Sequence, residues 1–172
     1  MLRKLLLLGL WLPLMAWAGW GEFDIDFDNE KPWQELQAQL PAYPKVEDSI
    51  KFFVSAASDN DFFIDPKSIS VGEDGVVRYS LIVRSPSGAK NVSFEGVRCS
   101  SHEAKTYAFG RANGEWSRNK YARWTPIKYQ AINRQHHMLY DDFFCPREII
   151  VRNEDEAIRA LKAGIHPRAE QQ

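Results

Sequence analysis

The residues best suited to chemistry form a cluster of histidines and carboxylates late in the chain. His136 and His137 precede Asp141 and Asp142, and His102 lies further upstream. Imidazole nitrogens and carboxylate oxygens are zinc ligands, so this region could support a metal-assisted hydrolase. However, adjacent histidines point to different faces of a strand or helix, and the H-E-x-x-H pattern is missing. We keep the hydrolase as the alternative and favour a packed or solvated polar stretch, with no metal or cofactor assigned.

An acidic run near the start has part of the pattern of a calcium-binding loop. Asp24, Asp26, Asp28 and Glu35 occupy four of the ligand positions of such a loop. The glycine that allows its sharp turn is replaced, and Pro32 stiffens the chain where another ligand should lie. An acidic arm is the favoured interpretation, with calcium binding as the alternative.

Nucleophile and phosphate-binding motifs are missing from the sequence. There is no G-x-S-x-G pattern, and Ser100, Ser101 and His102 are sequence neighbours, whereas a catalytic triad is assembled across a fold. We therefore assign no catalytic residues and expect the protein not to be an enzyme.

A stretch of aromatic and basic residues is the candidate binding surface: Trp116, Arg118, Lys120, Arg123 and Trp124. Flat rings stack on sugars, and cations contact phosphates or carboxylates. The alternative, favoured by the size of the rings, is that both tryptophans are core residues with the bases around them.

The first eighteen residues have the pattern of a cleavable export signal. Arg3 and Lys4 precede an apolar run over residues 5–17, and Ala16 and Ala18 fit the positions that a signal peptidase recognises. The run is shorter than the roughly 20 residues that a membrane span needs. We expect cleavage after Ala18, a periplasmic protein, and no later transmembrane span.

The two cysteines and the charge limit the class of protein. Cys99 and Cys145 are the whole cysteine content, and an even count in an exported chain predicts a disulfide, which contributes about 4 kcal/mol in the chain-entropy model. Removal of residues 1–18 leaves 20 basic and 23 acidic residues, a net charge of −3. This charge argues against nucleic acid and leaves a glycan, an anionic lipid head group or another protein as the envelope partner.

The periodicity predicts one α+β domain over residues 49–165, after an acidic arm and short helix over 19–48. Pro32 begins that helix, with Trp33, Leu36 and Leu40 on one face. A second helix is predicted over Glu154–Ala163 and a frayed tail over 166–172.

Between the helices, alternating apolar residues predict an antiparallel meander of about five to seven strands. Residues 65–67 are expected to turn the chain, and a bulge is expected at Gly96. Asp74-Gly75 and Asn113-Gly114 are hairpin signals. The predicted strands are Ile50–Ser55, Phe62–Ile64, Ser68–Val71, Val76–Arg84, Val92–Cys99 and Lys105–Gly110.

Four blocks of sequence resemble the CNP1-like family of proteobacterial envelope proteins. They are WxE…LPxYP at 33–44, FxDxxSISVGxDGVVRY at 63–79, GAxNVSxEGxRC at 88–99 and DFFCP at 142–146. The resemblance implies an envelope protein and brings no catalytic residues with it. Some family members look like lipoproteins, whereas this chain has no cysteine near the expected cleavage point.

Overall fold

A computed structural model describes residues 32–130 and 133–170. The chain divides into two units, Met1–Pro32 and Trp33–Gln172, and every element named below belongs to the second. Its centre is an antiparallel sheet in the spatial order β1 to β6, with β7 pairing with β5. The strands are β1 (Ile50–Phe52), β2 (Asp61–Val71), β3 (Val76–Arg84), β4 (Lys90–Arg98), β5 (Glu103–Gly110), β6 (Trp116–Arg118) and β7 (Thr125–Pro126).

The meander forms because its turns are encoded locally. Gly75 has a φ of +74° and Gly114 a φ of +82°, a conformation that favours glycine. These residues close the β2–β3 and β5–β6 connections, so the two predicted hairpins are confirmed. Strand order equal to chain order follows from these short connections.

The predicted turn over residues 65–67 is wrong, because β2 continues through it as a bulge. The pairing with β3 shifts register between Asp65 and Ser70. Pro66 lacks an N–H to donate, which a bulge tolerates, and the Lys67 N–H donates to Asp65 Oδ1 at 3.0 Å. The strand therefore bends without reversing.

The bulge expected at Gly96 of β4 lies instead in the neighbouring strand β5, where Tyr107 is skipped by the pairing. The register with β5 shifts between Phe94 and Glu95, not at Gly96. Gly96 allows the Tyr107 side chain to approach the β4 backbone closely, since a Cβ at Gly96 would lie 2.8 Å from the Tyr107 hydroxyl. The missing side chain makes room for the Tyr107 ring.

The short helix predicted after Pro32 is not present, because residues 33–45 contain no helical turn. This segment, the N-terminal strap, gives its backbone polar groups to the sheet. The Leu36 N–H donates to Asp74 Oδ2 at 2.8 Å, and Arg78 donates to the Leu36 carbonyl at 3.0 Å. The Trp33 indole donates to the Asp74 carbonyl at 2.8 Å. These bonds satisfy groups that a helix would have paired internally.

The C-terminal elements cover one face of the sheet, the first face, and the strap covers the second face. On the first face, Val77, Tyr79 and Leu81 of β3 are buried and Val83 packs against them. On the second face, Phe94 and Phe63 lie beneath strap residues. The sheet is thus the middle of three layers.

The C-terminal layer consists of helices. It includes α1 (Arg134–Met138), which continues as a π-helix over Leu139–Phe144, and α2 (Glu154–Ala163). Helix α2 matches its prediction, with Asn153 as its N-cap and Gly164 at its end. Within the described residues, no helix is long and apolar enough to cross a membrane.

The segment after α2 is not frayed where it is described. His166 is only 4% exposed, and its N–H donates to the Asp142 carbonyl at 2.7 Å. Its ring Nε2 lies 3.1 Å from Glu156 Oε1. Burial raises the pKa of Glu156, but hydrogen bonds from Arg152 and His166 outweigh it and lower the pKa to about 2. The tail is held by this carboxylate on α2.

The predicted disulfide is confirmed. Cys99 and Cys145 are joined with an S–S distance of 2.09 Å, and both are buried. The bond connects the end of β4 to the end of the π-helix, where the Tyr140 hydroxyl also donates to the Cys99 carbonyl at 2.9 Å. It fixes one end of the C-terminal layer to the sheet.

Candidate functional site

The predicted aromatic–basic surface separates into exposed cations and packed rings. Arg118, Lys120 and Arg123 are exposed, whereas Trp116 and Trp124 are half-buried. The rings pack beside Phe94 and Tyr107, and their indole N–H groups donate to the strap, at Pro41 O and Glu35 Oε2. The two tryptophans therefore help to hold the strap, and the three bases remain open to a partner.

Glu35, the one member of the calcium-loop pattern within the described residues, makes its contacts with side chains of the sheet. Glu35 accepts hydrogen bonds from Lys105 Nζ and the Tyr107 hydroxyl, both at 2.8 Å. Burial raises the pKa of Glu35, but these hydrogen bonds outweigh it and hold the pKa below its ordinary value. Asp24, Asp26 and Asp28 lie outside the described residues.

The histidine–carboxylate cluster is dispersed over different contacts. His136 Nε2 lies 2.8 Å from Glu95 Oε2. His137 Nδ1 lies 2.8 Å from Asp141 Oδ2, though the atoms are not aligned for a hydrogen bond. His102 stacks on Tyr140 with ring centroids 4.0 Å apart. Nowhere in the described part of the chain do three or more His, Cys, Asp or Glu side chains form a group that could hold a metal ion.

A cavity of about 590 Å³ opens near these side chains on the first face of the sheet. It lies between the start of α1 in the C-terminal layer and the part of the sheet near the β3–β4 connection. Phe62, Leu81 and Val83 supply apolar lining, with Phe109 on β5 and Arg134 at the start of α1 contributing further side chains. We call it the sheet-face cavity.

A buried carboxylate, Glu95, lines this cavity and is only 5% exposed. The Tyr79 hydroxyl donates to its Oε2 at 3.2 Å and the Ser93 hydroxyl to its Oε1 at 2.6 Å, while His136 approaches Oε2. Burial raises the pKa of Glu95, but His136 and these hydrogen bonds outweigh it and hold the pKa below its ordinary value. Glu95 is therefore a carboxylate at neutral pH.

The pKa of His136 is shifted by the same contact, in the opposite direction. Burial lowers its pKa, but the adjacent Glu95 carboxylate more than offsets this and raises the pKa above its ordinary value. The two groups form a buried ion pair when the imidazole is protonated.

The Ser93 hydroxyl is engaged by the Glu95 carboxylate in this arrangement. Ser93 donates its hydroxyl to Glu95, so its contact is with a carboxylate and not with an imidazole base. The cavity lining combines apolar side chains with hydroxyl, amide and charged groups, and its volume is in the range of ligand pockets.

Sequence reasoning missed Glu95 as a site residue, although one signal was available. Glu95 stands opposite Tyr79 in the β3–β4 register, on the face that also carries Val77 and Val97. A charged residue at an inward position of a strand is rarely left unpaired. Its partner His136 is 41 residues away in sequence, so the pairing itself could not be read from local pattern.

Comparison with known proteins gives a family and nothing beyond it. No curated protein and no solved structure shows a significant match. The model of the CNP1-like family matches residues 28–162, which is most of the chain. The chain belongs to the CNP1-like family.

Proposed function

We propose that this chain is an exported, non-enzymatic binding domain that holds an envelope ligand in the sheet-face cavity. The observation that supports it is the cavity of about 590 Å³ with the buried Glu95 carboxylate in its lining. Ligand pockets in proteins typically have volumes of roughly 300–1,000 Å³ and few polar groups. The cavity falls within this class by size, although its lining is more polar, with several hydroxyl and amide side chains.

The export part of the proposal has its own support. Residues 1–18 follow the pattern of a secretory signal with cleavage after Ala18. The disulfide between Cys99 and Cys145 is of a kind that persists in oxidising compartments such as the periplasm. Together they favour a periplasmic location.

The exposed bases offer a second contact surface. Arg118, Lys120 and Arg123 are solvent-accessible and lie in β6 and the connection that follows it. We include them as the surface that would dock an anionic envelope component, because exposed cations steer association with anionic partners.

Native mass spectrometry of protein isolated gently from periplasmic extract tests which surface binds. We expect a non-covalent ligand on the wild type and its loss in Val83→Trp, which places a large ring in the cavity. The matched control Ser87→Trp adds the same ring to the exposed β3–β4 connection and should retain the ligand.

Two results would count against the cavity. A wild-type protein that carries no ligand, or a ligand that survives Val83→Trp, contradicts it. A ligand lost only when Arg118, Lys120 and Arg123 are changed to Glu assigns binding to the basic surface instead.

A further inference from the structure

The chemical class of the ligand follows from the polar groups around the sheet-face cavity, if the proposed function holds. Most of these groups are neutral side chains that donate or accept hydrogen bonds. They are the hydroxyls of Ser55, Ser58 and Ser93 and the amides of Asn60, Asn91, Asn133 and Gln135. Amides and hydroxyls both donate and accept, which suits a ligand whose own groups do both.

The Glu95 carboxylate supplies a hydrogen-bond acceptor in the lining of the cavity. Its Oε2 is approached by Tyr79 and His136, whereas Oε1 receives one hydrogen bond, from Ser93, among the described residues. A carboxylate oxygen can accept about two hydrogen bonds, so Oε1 retains capacity for a donor from the ligand. A ligand hydroxyl can fill it without bringing a second charge out of water.

The charges around the cavity disfavour a strongly charged occupant. An anion would approach the Glu95 carboxylate, and a cation would pass the exposed guanidinium of Arg134. Glu95 is already neutralised in part by His136. The electrostatics therefore favour a neutral molecule.

An exposed ring completes the lining. Phe109 is 51% exposed, although phenylalanine is usually buried, and it stands opposite Ser93 in the β4–β5 register. A flat apolar ring beside hydroxyl and amide groups provides a face for apolar C–H groups of a ligand that is otherwise polar.

We propose that the sheet-face cavity binds a neutral carbohydrate. Its hydroxyls hydrogen-bond to Glu95 Oε1 and to the surrounding amides, and the C–H face of one sugar ring lies on Phe109. The open side of the cavity lets a longer glycan extend into solvent.

Isothermal titration calorimetry with short malto-, cello- and chito-oligosaccharides tests this inference on the full mature chain. We expect saturable binding of at least one of these neutral series. Phe109→Ala should weaken it about tenfold, or about 1.4 kcal/mol, because the ring that contacts the sugar is lost. Phe53→Ala removes another exposed phenylalanine, one that does not line the cavity, and should leave affinity unchanged.

The outcomes separate this inference from the proposed function. If no neutral oligosaccharide binds but a cavity-dependent ligand of another class, such as a peptide or lipid, is found by mass spectrometry, the carbohydrate inference fails and the binding domain stands. If Phe53→Ala and Phe109→Ala weaken sugar binding equally, the cavity assignment fails. If neither sugars nor any cavity-dependent ligand bind, both proposals fail.

Discussion

The Glu95–His136 pair connects the sheet to helix α1 at the cavity. Its two atoms lie 2.8 Å apart, and the side chains are only 7% and 18% exposed. A charge in such a place is tolerated because its partner and its hydrogen bonds replace water. The free energy of unfolding therefore depends on the protonation states of Glu95 and His136.

The pair predicts a pH dependence of stability with a defined sign. The pKa of His136 is raised above 6.5, so its stabilising contribution is present at lower pH and is lost as pH rises through the folded pKa. The pKa of Glu95 is lowered below 4.5, so its contribution disappears as pH falls through its folded value. His136→Gln should therefore lower the free energy of unfolding by about 1–3 kcal/mol in mildly acidic solution. The loss should be smaller above neutral pH. Thermal unfolding followed by circular dichroism across this range measures it.

The neighbouring histidine supplies the control. Burial lowers the pKa of His137 below its ordinary value despite the nearby Asp141. Protonation of His137 therefore opposes folding, and His137→Gln should become relatively more favourable as pH falls. Equal pH slopes for the two variants would contradict the assignment of the ion pair.

At the scale of elements, Asp74 joins the strap to the β2–β3 hairpin. Its side chain is 2% exposed and forms an ion pair with Arg78, whose side chain is 6% exposed. Burial raises the pKa of Asp74, but the hydrogen bonds from Arg78 and Leu36 outweigh it and keep the pKa low. One carboxylate thus satisfies both a buried guanidinium and a backbone N–H of the strap.

Asp74→Ala should release the strap and destabilise the fold. The change leaves the Arg78 guanidinium buried without its carboxylate, which costs about 3–5 kcal/mol in comparable sites. Chemical unfolding should show this loss, and hydrogen exchange should rise over residues 33–45. Glu73→Ala, at the exposed neighbouring position, should change neither quantity. Unchanged exchange in the strap of Asp74→Ala would refute its role.

The contrast between strap and sheet shows which elements sequence could predict. The hairpins were readable because Asp74-Gly75 and Asn113-Gly114 encode their turns within a few residues. The strap was misread because its apolar spacing matches a helix, whereas a carboxylate 38 residues away binds the N–H of Leu36. Tertiary contacts of this kind override local pattern.

The same limit applies to the candidate site. His136 was visible as a titratable residue, but its partner Glu95 was not, since the two meet only when α1 packs on β4. The half-burial of Trp116 and Trp124 likewise depends on the strap, which supplies the acceptors for both indoles. The sequence therefore identified titratable and aromatic residues, whereas their partners were determined by tertiary packing.

At the scale of the whole molecule, the disulfide helps to set where the C-terminal layer covers the sheet. Cys99 lies just after β4, at the opposite end of that strand from the β3–β4 connection. The layer fixed there packs Phe144 against Tyr79, with ring centroids 5.1 Å apart, and leaves the other end of the face open. The position of the cavity therefore depends on this covalent anchor as well as on the local lining.

Replacement of Cys99 and Cys145 together by serine should lower the free energy of unfolding by about 4 kcal/mol in the chain-entropy model for this loop. The expected loss arises because an unfolded chain without the bond has more conformations. Guanidinium unfolding followed by tryptophan fluorescence measures it, and wild-type protein in reductant should behave as the double variant does. If reduction leaves the unfolding midpoint unchanged, the bond does not brace the layer. If protein recovered from the periplasm contains two alkylatable thiols, the bond does not form there, and it supports neither the anchoring of the C-terminal layer nor the proposed export.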